Sequence, residues 1–528
     1  MSDPASVPWW SAPARRPRLA AALTALAVLV VALSVIEPLP VGVVYDDGMY
    51  VMLAKSLATG QGYRWLNIPG APPATHFPPG YPALLSLLWR VFPVFPANVI
   101  AFKALNALLL ALAGAGLALF AHRRLGFSPL AAAIVACIGC CAIPTLVLST
   151  LVMSEMLFLC MLFPLLSFAD HVTDSEPPLW QPVVLGLLVG ALVLVRTHGI
   201  ALAGGVGLVL LVRRRWRPLM AYAAAFAAVA APWQIWQSHH QGFVPAPLRG
   251  TYESYGGWLM RGFASDGLAL AGRTLSHTSY ELFANVAVMA GAGMPMLVRA
   301  VAAVGALLLF GVGLARLWAR SRVTFFFLCA YLTIVLFWPF TPARFVWGIW
   351  PLLTLVVALG VATVWDWRPR AVAWRTTRVA GIAVAASIIC GYSTYTARGY
   401  RGHWWSSIPR HVGQASRPLV RWTLQHTRPS DIVASNTEPL VYLYTGRRSI
   451  PITSFSVDEY FAPPSVASRM DALRSIIRSY PVDAVMVMTN DSVSVAAIAL
   501  ASGTPPELVL RDTIPNGLIF TRPTTTLR

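Results

Sequence analysis

The sequence predicts a polytopic α-helical membrane protein with a small C-terminal α/β unit. Three observations predict it. Of the 528 residues, 57% are hydrophobic and only 12% are charged, with a mean hydropathy of +0.63. A soluble domain carries roughly 25% charged residues, and a single water-soluble core stops growing at about 250–300 residues. Second, the apolar residues gather into eleven runs, most of them near the ~20 residues that a spanning helix needs. Third, charge and proline rise after about residue 397, where the apolar runs shorten to strand length.

The runs lie at 19–36, 97–121, 129–148, 152–169, 182–196, 199–212, 218–236, 297–316, 323–339, 345–365 and 377–396. The fifth and sixth are short, and Arg196-Thr197-His198-Gly199 between them reads as a tight turn. A net charge of +19 would suggest nucleic acid as a partner in a soluble protein. Here the arginines cluster between apolar runs, at Arg15-Arg16, Arg123-Arg124, Arg213-Arg214-Arg215 and Arg375/Arg378. That is the positive-inside pattern of a membrane protein, and it sets nucleic acid aside. With the N-terminus inside, the cytoplasmic turns fall at 122–128, 170–181, 213–217, 317–322 and 366–376. Four are arginine-rich; 170–181 is acidic and has no Lys or Arg. The outer turns at 149–151, 196–198 and 340–344 are nearly free of basic residues. Eleven spans then leave the C-terminal region outside the cell's inner membrane. The first run follows Arg15, Arg16 and Arg18 and shows no small-x-small cleavage site, so it reads as an uncleaved anchor.

The expected organisation is a transmembrane part, 1–396, with long outer segments at 37–96 and 237–295, followed by an extracytoplasmic α/β part, 397–528. The first outer segment holds a predicted helix at 48–58, a Pro/Gly-rich stretch at 68–82 and an amphipathic run at 83–92. In the C-terminal part, strands are expected at 431–435, 449–452 and 482–488, with helices at 439–446, 464–480 and 492–502. A hairpin at 507–522 closes the chain, with its turn at Pro515-Asn516-Gly517. Alternating strands and helices make a small α/β unit.

Cys137, Cys140, Cys141, Cys160, Cys329 and Cys390 all lie in apolar runs, so no disulfide framework is expected. Cys137-x-x-Cys140-Cys141 lacks a second Cys/His pair and reads as helix packing, as does Gly204-Gly205-x-Gly207. No P-loop, dinucleotide fingerprint or hydrolase elbow stands in a credible context, so the chain shows no site for a soluble nucleotide donor.

Carboxylates are scarce, and those near the outer face are the candidates for chemistry. Asp46-Asp47 follows the first run. Asp47 is placed to cap a helix beginning near Gly48, which leaves Asp46 unexplained. A carboxylate in a partly dry cleft can act as a general base toward a hydroxyl. Adjacent side chains diverge, and the sequence does not choose between the two. Glu155 opens the fourth run, where an acid is either a functional group at membrane depth or a charge favoured by a helix N-terminus. His76, in a proline-rich segment, is either a surface histidine or, with Glu155, a ligand for a divalent metal. Lys55 lies two turns after Asp47 and can pair with it or hold a phosphate. Arg344 and Arg196, at the outer ends of runs, can snorkel to headgroups or grip a phosphate in a fork. In the second outer segment, Arg249 and Tyr252 are substrate-binding candidates, with Glu253 and Tyr255 beside them; Tyr and Trp there suit interfacial anchoring or sugar stacking.

Four segments in order resemble the GT-C integral-membrane glycosyltransferases, in particular the bacterial group similar to protein O-mannosyltransferases and lipid A aminoarabinose transferases (glycosyltransferase family 39-like). They are YDDGMYVMLAKSLATGQGY (45–63), HFPPGYPALLSLLWRVF (76–92), MSEMLF (153–158) and RFVWGIWPLL (344–353). DIVASNTEPLVYLYTGRRSIPI (431–452) is similar to the family's C-terminal α/β domain. The resemblance implies a GT-C-like fold and a sugar donor carried on a polyprenyl phosphate. It implies an acceptor on a lipid, glycan or protein, and inverting transfer with Asp46 or Asp47 as base. Relatives of the aminoarabinose-transferase type carry Glu-Lys before the proline of the second segment, where this chain has His76-Phe77-Pro78. The phosphate-binding lysine is therefore missing, and Lys55, Arg249 or Arg344 would have to supply that charge. The rival readings are a transporter or flippase, which binds its substrate at mid-membrane on broken helices, and an assembly protein whose rim carboxylates are dispensable.

Overall fold

Helices do occupy all eleven apolar runs, and a five-stranded sheet follows them. The computed structural model describes residues 17–366, 373–489 and 492–523, with the backbone alone at 373–378 and 380. The basic pair Arg15-Arg16 and the side chains of Arg375 and Arg378 lie outside the described residues.

The first helices are α1 (Pro17–Ser34), α2 (Asp46–Ala58), α3 (Gly80–Val91), α4 (Val99–Leu125), α5 (Pro129–Cys140), α6 (Ile143–Thr150), α7 (Glu155–Asp174) and α8 (Trp180–Val195). Next come α9 (Ile200–Val212), α10 (Trp216–His240), α11 (Arg249–Tyr252), α12 (Tyr255–Asp266), α13 (Leu268–Ala290), α14 (Met296–Arg320) and α15 (Arg322–Phe337). Then follow α16 (Ala343–Trp347), α17 (Trp350–Asp366), α18 (Ala373–Arg401) and α19 (Trp404–His426). Among the described residues, five helices are long and apolar enough to cross a membrane, or six if the pair α5/α6 is one span. The chain is a multi-pass helical membrane protein. The windows that qualify in α4 and α7 are 61% buried, while those of α10 and α14 are 17% buried. The first two therefore form the bundle's centre, while α14 turns Leu297, Val301 and Leu308 outward and α10 turns out Trp216, Met220 and Ile235, an apolar surface suited to lipid.

Three expectations change. The run at 129–148 is two helices bent by 59°, because Pro144 in the first turn of α6 has no amide to continue the ladder from α5. The second long segment is mostly helical, with the 23-residue α13 inside it. Of Gly204, Gly205 and Gly207, only Gly205 is at a close contact, where an added Cβ would lie 3.2 Å from the Phe327 nitrogen; the other two face open space.

The acidic turn at 170–181 has a physical explanation. Arg124 pairs with Asp170 at 3.3 Å and with Asp174 at 3.1 Å, Arg213 with Asp174 at 2.9 Å, and Arg215 with Glu176 at 3.1 Å. The turn therefore sits at the same end of the bundle as 122–128 and 213–217 and offsets their charge.

The C-terminal region forms β1 (Ile432–Ser435), α20 (Glu438–Thr445), β2 (Arg448–Ile450), α21 (Val466–Ser479), β3 (Ala484–Met488), α22 (Ser492–Ala501), β4 (Val509–Ile514) and β5 (Gly517–Thr521). The sheet order is β2-β1-β3-β5-β4, parallel for the first three strands and antiparallel for the closing hairpin. Helix α20 ends on Gly446 at φ 73°, a left-handed position that glycine adopts without a Cβ clash. One apolar core joins this unit to the first long segment: Val41, Met49, Trp65 and Phe77 pack in the same cluster as Leu440, Ile450 and Val485.

Helices α14 and α17 cross at glycines. A Cβ on Gly313 would lie 2.0 Å from the Val356 carbonyl oxygen, and one on Gly360 1.9 Å from that of Leu309. Small residues let membrane helices approach this closely. Gly313→Val and Gly360→Val are each expected to lower the thermal midpoint in detergent by several degrees, as overpacking of about 1–3 kcal/mol would. Gly204→Ala, with nothing within 4 Å of its Cβ, should leave the midpoint in place. Equal midpoints for all three would show that the crossing is not tight.

Candidate active site

The Asp46 side chain projects from the first residue of α2 and meets Arg344 on α16, with Nη1 donating to Oδ2 at 2.6 Å. The Arg344 Nε donates to Glu155 Oε1 at 3.0 Å, and Arg196 Nη1 reaches the same oxygen at 2.7 Å. Four charges thus form one chain, Asp46–Arg344–Glu155–Arg196, drawn from four separate stretches of sequence. Its formal charges cancel. Glu155 and Arg196 are deep, with side chains 0% and 8% exposed, while Arg344 and Asp46 are 24% and 17% exposed. The network is therefore open at the Asp46 end. A dry setting strengthens each pairing and makes any unpaired member costly.

Uncharged neighbours fix the geometry. Ser154 Oγ accepts from Arg196 at 3.2 Å and shares a hydrogen bond with the Tyr50 hydroxyl at 3.1 Å. Arg344 Nη2 lies 3.7 Å from the Met153 sulfur. The His198 ring stacks on Phe345 with centroids 4.9 Å apart. Tyr50 packs edge-on against Tyr81 and at a tilt against Phe77. His76 donates from Nδ1 to the Glu253 carbonyl at 2.5 Å and lies against Tyr255 with centroids 4.2 Å apart. Burial lowers the pKa of His76, against the pull of the Glu253 carbonyl and Asp46.

Asp47 faces the other way. It does not cap a helix beginning at Gly48, since α2 begins at Asp46 and is preceded by Tyr45. Its carboxylate, 1% exposed, accepts from the amides of Gly42 at 3.0 Å and Val44 at 3.1 Å. It ties the loop before α2 into a closed turn. Burial pushes its carboxyl up to about 6, although the Val44, Gly42, Gly48 and Val43 amides pull against that rise.

The structure separates the other candidates. Lys55 does not pair with Asp47; its Nζ lies 5.0 Å above the ring of Tyr442 on α20. Arg249 donates to the Val244 carbonyl at 3.4 Å within its own segment. Tyr252 is fully buried, accepting from Asn67 at 2.6 Å and donating to Glu438 at 3.1 Å, so it has no surface for a substrate. Glu253 binds Arg261. Among the described residues, no three His, Cys, Asp or Glu side chains converge to hold a metal ion. Both Asp46 and Glu155 pair with guanidinium groups, and Nδ1 of His76 is taken by the Glu253 carbonyl. The residues present do not fit a divalent cation shared by His76 and Glu155. Glu438 and Asn67 escaped the sequence reading because it weighed scarce acids only at the membrane rim; scarcity alone marks Glu438 as well.

The fold defines a class, the helical membrane proteins of the GT-C fold. No protein-family model and no curated protein matches the chain. Among solved structures it is similar to ArnT from Cupriavidus metallidurans, in a crystal structure bound to undecaprenyl phosphate. The two share 14% identity over 94% of this chain and 97% of that one, with a TM-score of 0.53. Two structures from Archaeoglobus fulgidus align less well. The oligosaccharyltransferase AglB, in complex with an inhibitory peptide and a dolichol-phosphate, shares 14% identity over 90% of this chain and 70% of its own, at TM-score 0.45. An oligosaccharyltransferase complex with Zn and sulfate shares 14% over 88% and 68%, at 0.48.

Because Asp47 is more acidic in an unfolded chain than in its dry native site, the fold favours its neutral form. Its stabilising contribution is complete below about pH 4 and is lost as pH rises through about 6. The thermal midpoint of the wild type relative to Asp47→Asn is expected to shrink between pH 4 and pH 8. A difference that grows with pH would show that the amides, and not burial, control this group.

Proposed function

We propose that the chain is an inverting glycosyltransferase. It moves a sugar from a polyprenyl-phosphate-linked donor to an acceptor hydroxyl on the outer face of the membrane. The observation that carries this reading is the Asp46–Arg344 pair, 2.6 Å apart at the open end of a buried network. The fold shared with ArnT, which was crystallised with undecaprenyl phosphate, supports the choice of donor.

Arg344 is a fork placed for a phosphodiester. A donor phosphate arriving there competes with Asp46 for the guanidinium. The network is neutral without donor, so one added negative charge favours release of Asp46 from Arg344. The freed carboxylate is the general base. An acceptor oxygen attacks the anomeric carbon from the face opposite the phosphate while Asp46 takes its proton. The bond from the anomeric carbon to the phosphate oxygen breaks, and its electron pair leaves with the phosphate. Arg344, backed by Glu155 and held in place by it, stabilises the second negative charge that develops on the phosphate. Asp47 shapes the loop and has no part in the transfer step. The half-buried rings of His76 and Tyr255, packed on the buried Phe77, offer flat faces for a sugar ring near Asp46. No step requires a metal, because the leaving phosphate already has a cation.

The broken helix pair α5/α6 is the feature that a transporter reading would use. Its break is packed shut: a Cβ on Gly139 would lie 2.7 Å from the Pro351 Cα, and the Thr145 hydroxyl donates to the Gly139 carbonyl at 2.8 Å. The polar groups collect at the Asp46 network instead.

The test uses proteoliposomes and a panel of synthetic undecaprenyl-phosphate hexoses and pentoses, with release of undecaprenyl phosphate as the signal. Asp46→Asn is expected to lower turnover about 10²–10⁴-fold, the range for loss of a general base, with donor binding retained. Arg344→Lys should weaken donor binding and slow turnover, since an ammonium cannot reproduce the fork. Wild-type turnover in Asp46→Asn would overturn the assignment.

A further inference from the structure

We infer that Glu438, in the C-terminal unit, is a positioning residue for Asp46: acting through Tyr252 and Tyr45, it holds the turn that aims the Asp46 carboxylate at Arg344. Its catalytic consequence rests on the transfer reading above; its structural part stands apart from it.

The turn is unusual. Tyr45 has φ 67° and ψ −71°, and the Asp46 amide donates to the Val44 carbonyl at 2.9 Å. This is a three-residue γ-turn with positive φ, a rare and strained conformation for a residue with a side chain. Strain of this kind persists only where the surroundings over-determine it. Asp47 secures one side through the Gly42 and Val44 amides. Helix α20 secures the other. A Cβ on Gly42 would lie 2.8 Å from the Leu440 backbone, and one on Gly48 2.8 Å from the Pro439 ring. The Val41 amide donates to the Tyr444 hydroxyl at 3.2 Å.

Glu438 opens α20 and is 2% exposed. Its Oε1 accepts from the Tyr252 hydroxyl at 3.1 Å. Asn67 donates to Tyr252 and to the Ser449 carbonyl at 2.9 Å, which pins this group to β2. The buried Tyr45 hydroxyl lies against both Tyr252 and Glu438, without a well-formed hydrogen bond to either. The hydroxyl of the residue next to Asp46 thus sits beside a carboxyl group that the transfer step does not use. Burial pushes that carboxyl up to about 7, so a neutral side chain of the same shape suits the site.

Two readouts on the full-length protein in nanodiscs test this. Hydrogen exchange of the 41–48 segment should speed up roughly tenfold in Glu438→Ala, with α4 and α7 unchanged. With the undecaprenyl-phosphate sugar panel, kcat should fall roughly tenfold to a hundredfold, while the donor KM stays within about twofold. Glu438→Gln keeps an acceptor for Tyr252 and should recover most of both. Tyr252→Phe removes one hydroxyl and should show the same pattern more weakly, which covers the case in which Glu438→Ala does not fold. Unchanged exchange at 41–48 in the alanine and phenylalanine variants overturns the proposal. So does a glutamine variant as impaired as the alanine one. If the wild type turns over no donor, the transfer reading fails; localised loosening with glutamine rescue still supports the clamp.

Discussion

The carboxylate of Glu155 is the constraint on which the site depends. It is fully buried at the start of α7, and one of its oxygens receives both Arg196 and Arg344. An isolated charge at that depth would be untenable. Two guanidinium groups make it tenable, but together they over-compensate it by one positive charge. Asp46 supplies the missing negative charge from another part of the chain. The need for neutrality therefore draws α2, α7, α16 and the turn after α8 to one point. A buried ion network is weak evidence for stability; its value here is that it fixes where four backbone segments meet.

The loop before α2 meets that point only because it is closed on itself. Asp47 gathers the amides that the turn leaves without partners, and α20 packs against the glycines on either side. The continuous apolar core from the first long segment into the sheet means that the C-terminal unit forms part of the wall of the site. The two adjacent acids consequently have opposite surroundings. Asp46 is partly exposed beside a cation, and Asp47 is dry and held by backbone. The first setting suits the proposed base and the second a scaffold residue.

Much of the fold was legible in sequence, because bilayer and sheet each impose a simple periodicity. Runs of apolar residues gave the helices, and Gly446 and Pro515-Asn516-Gly517 marked the ends of α20 and β4. Glu155, Arg196, Arg344 and Asp46 were legible as candidates because charges are rare in this chain. Arg249 and Lys55 were also candidates on that ground, and Tyr252 as a stacking ring; the structure turns Arg249 into its own segment, Lys55 to the Tyr442 ring and Tyr252 into the α20 interface. Scarcity flags a residue but carries no direction.

By itself the sequence determined that this is a membrane-embedded helical protein with an α/β tail, and it marked a few scarce acids and arginines as candidates for chemistry. Composition and spacing suffice for that, since the cost of burying backbone and charge is local. Only the tertiary structure decided which of Asp46 and Asp47 faces Arg344. It also decided that the acidic turn at 170–181 offsets neighbouring arginines, and that Glu155 pairs with both Arg196 and Arg344. Those outcomes depend on pairings between residues up to 298 positions apart. No local pattern encodes the direction of a side chain whose partner is that distant.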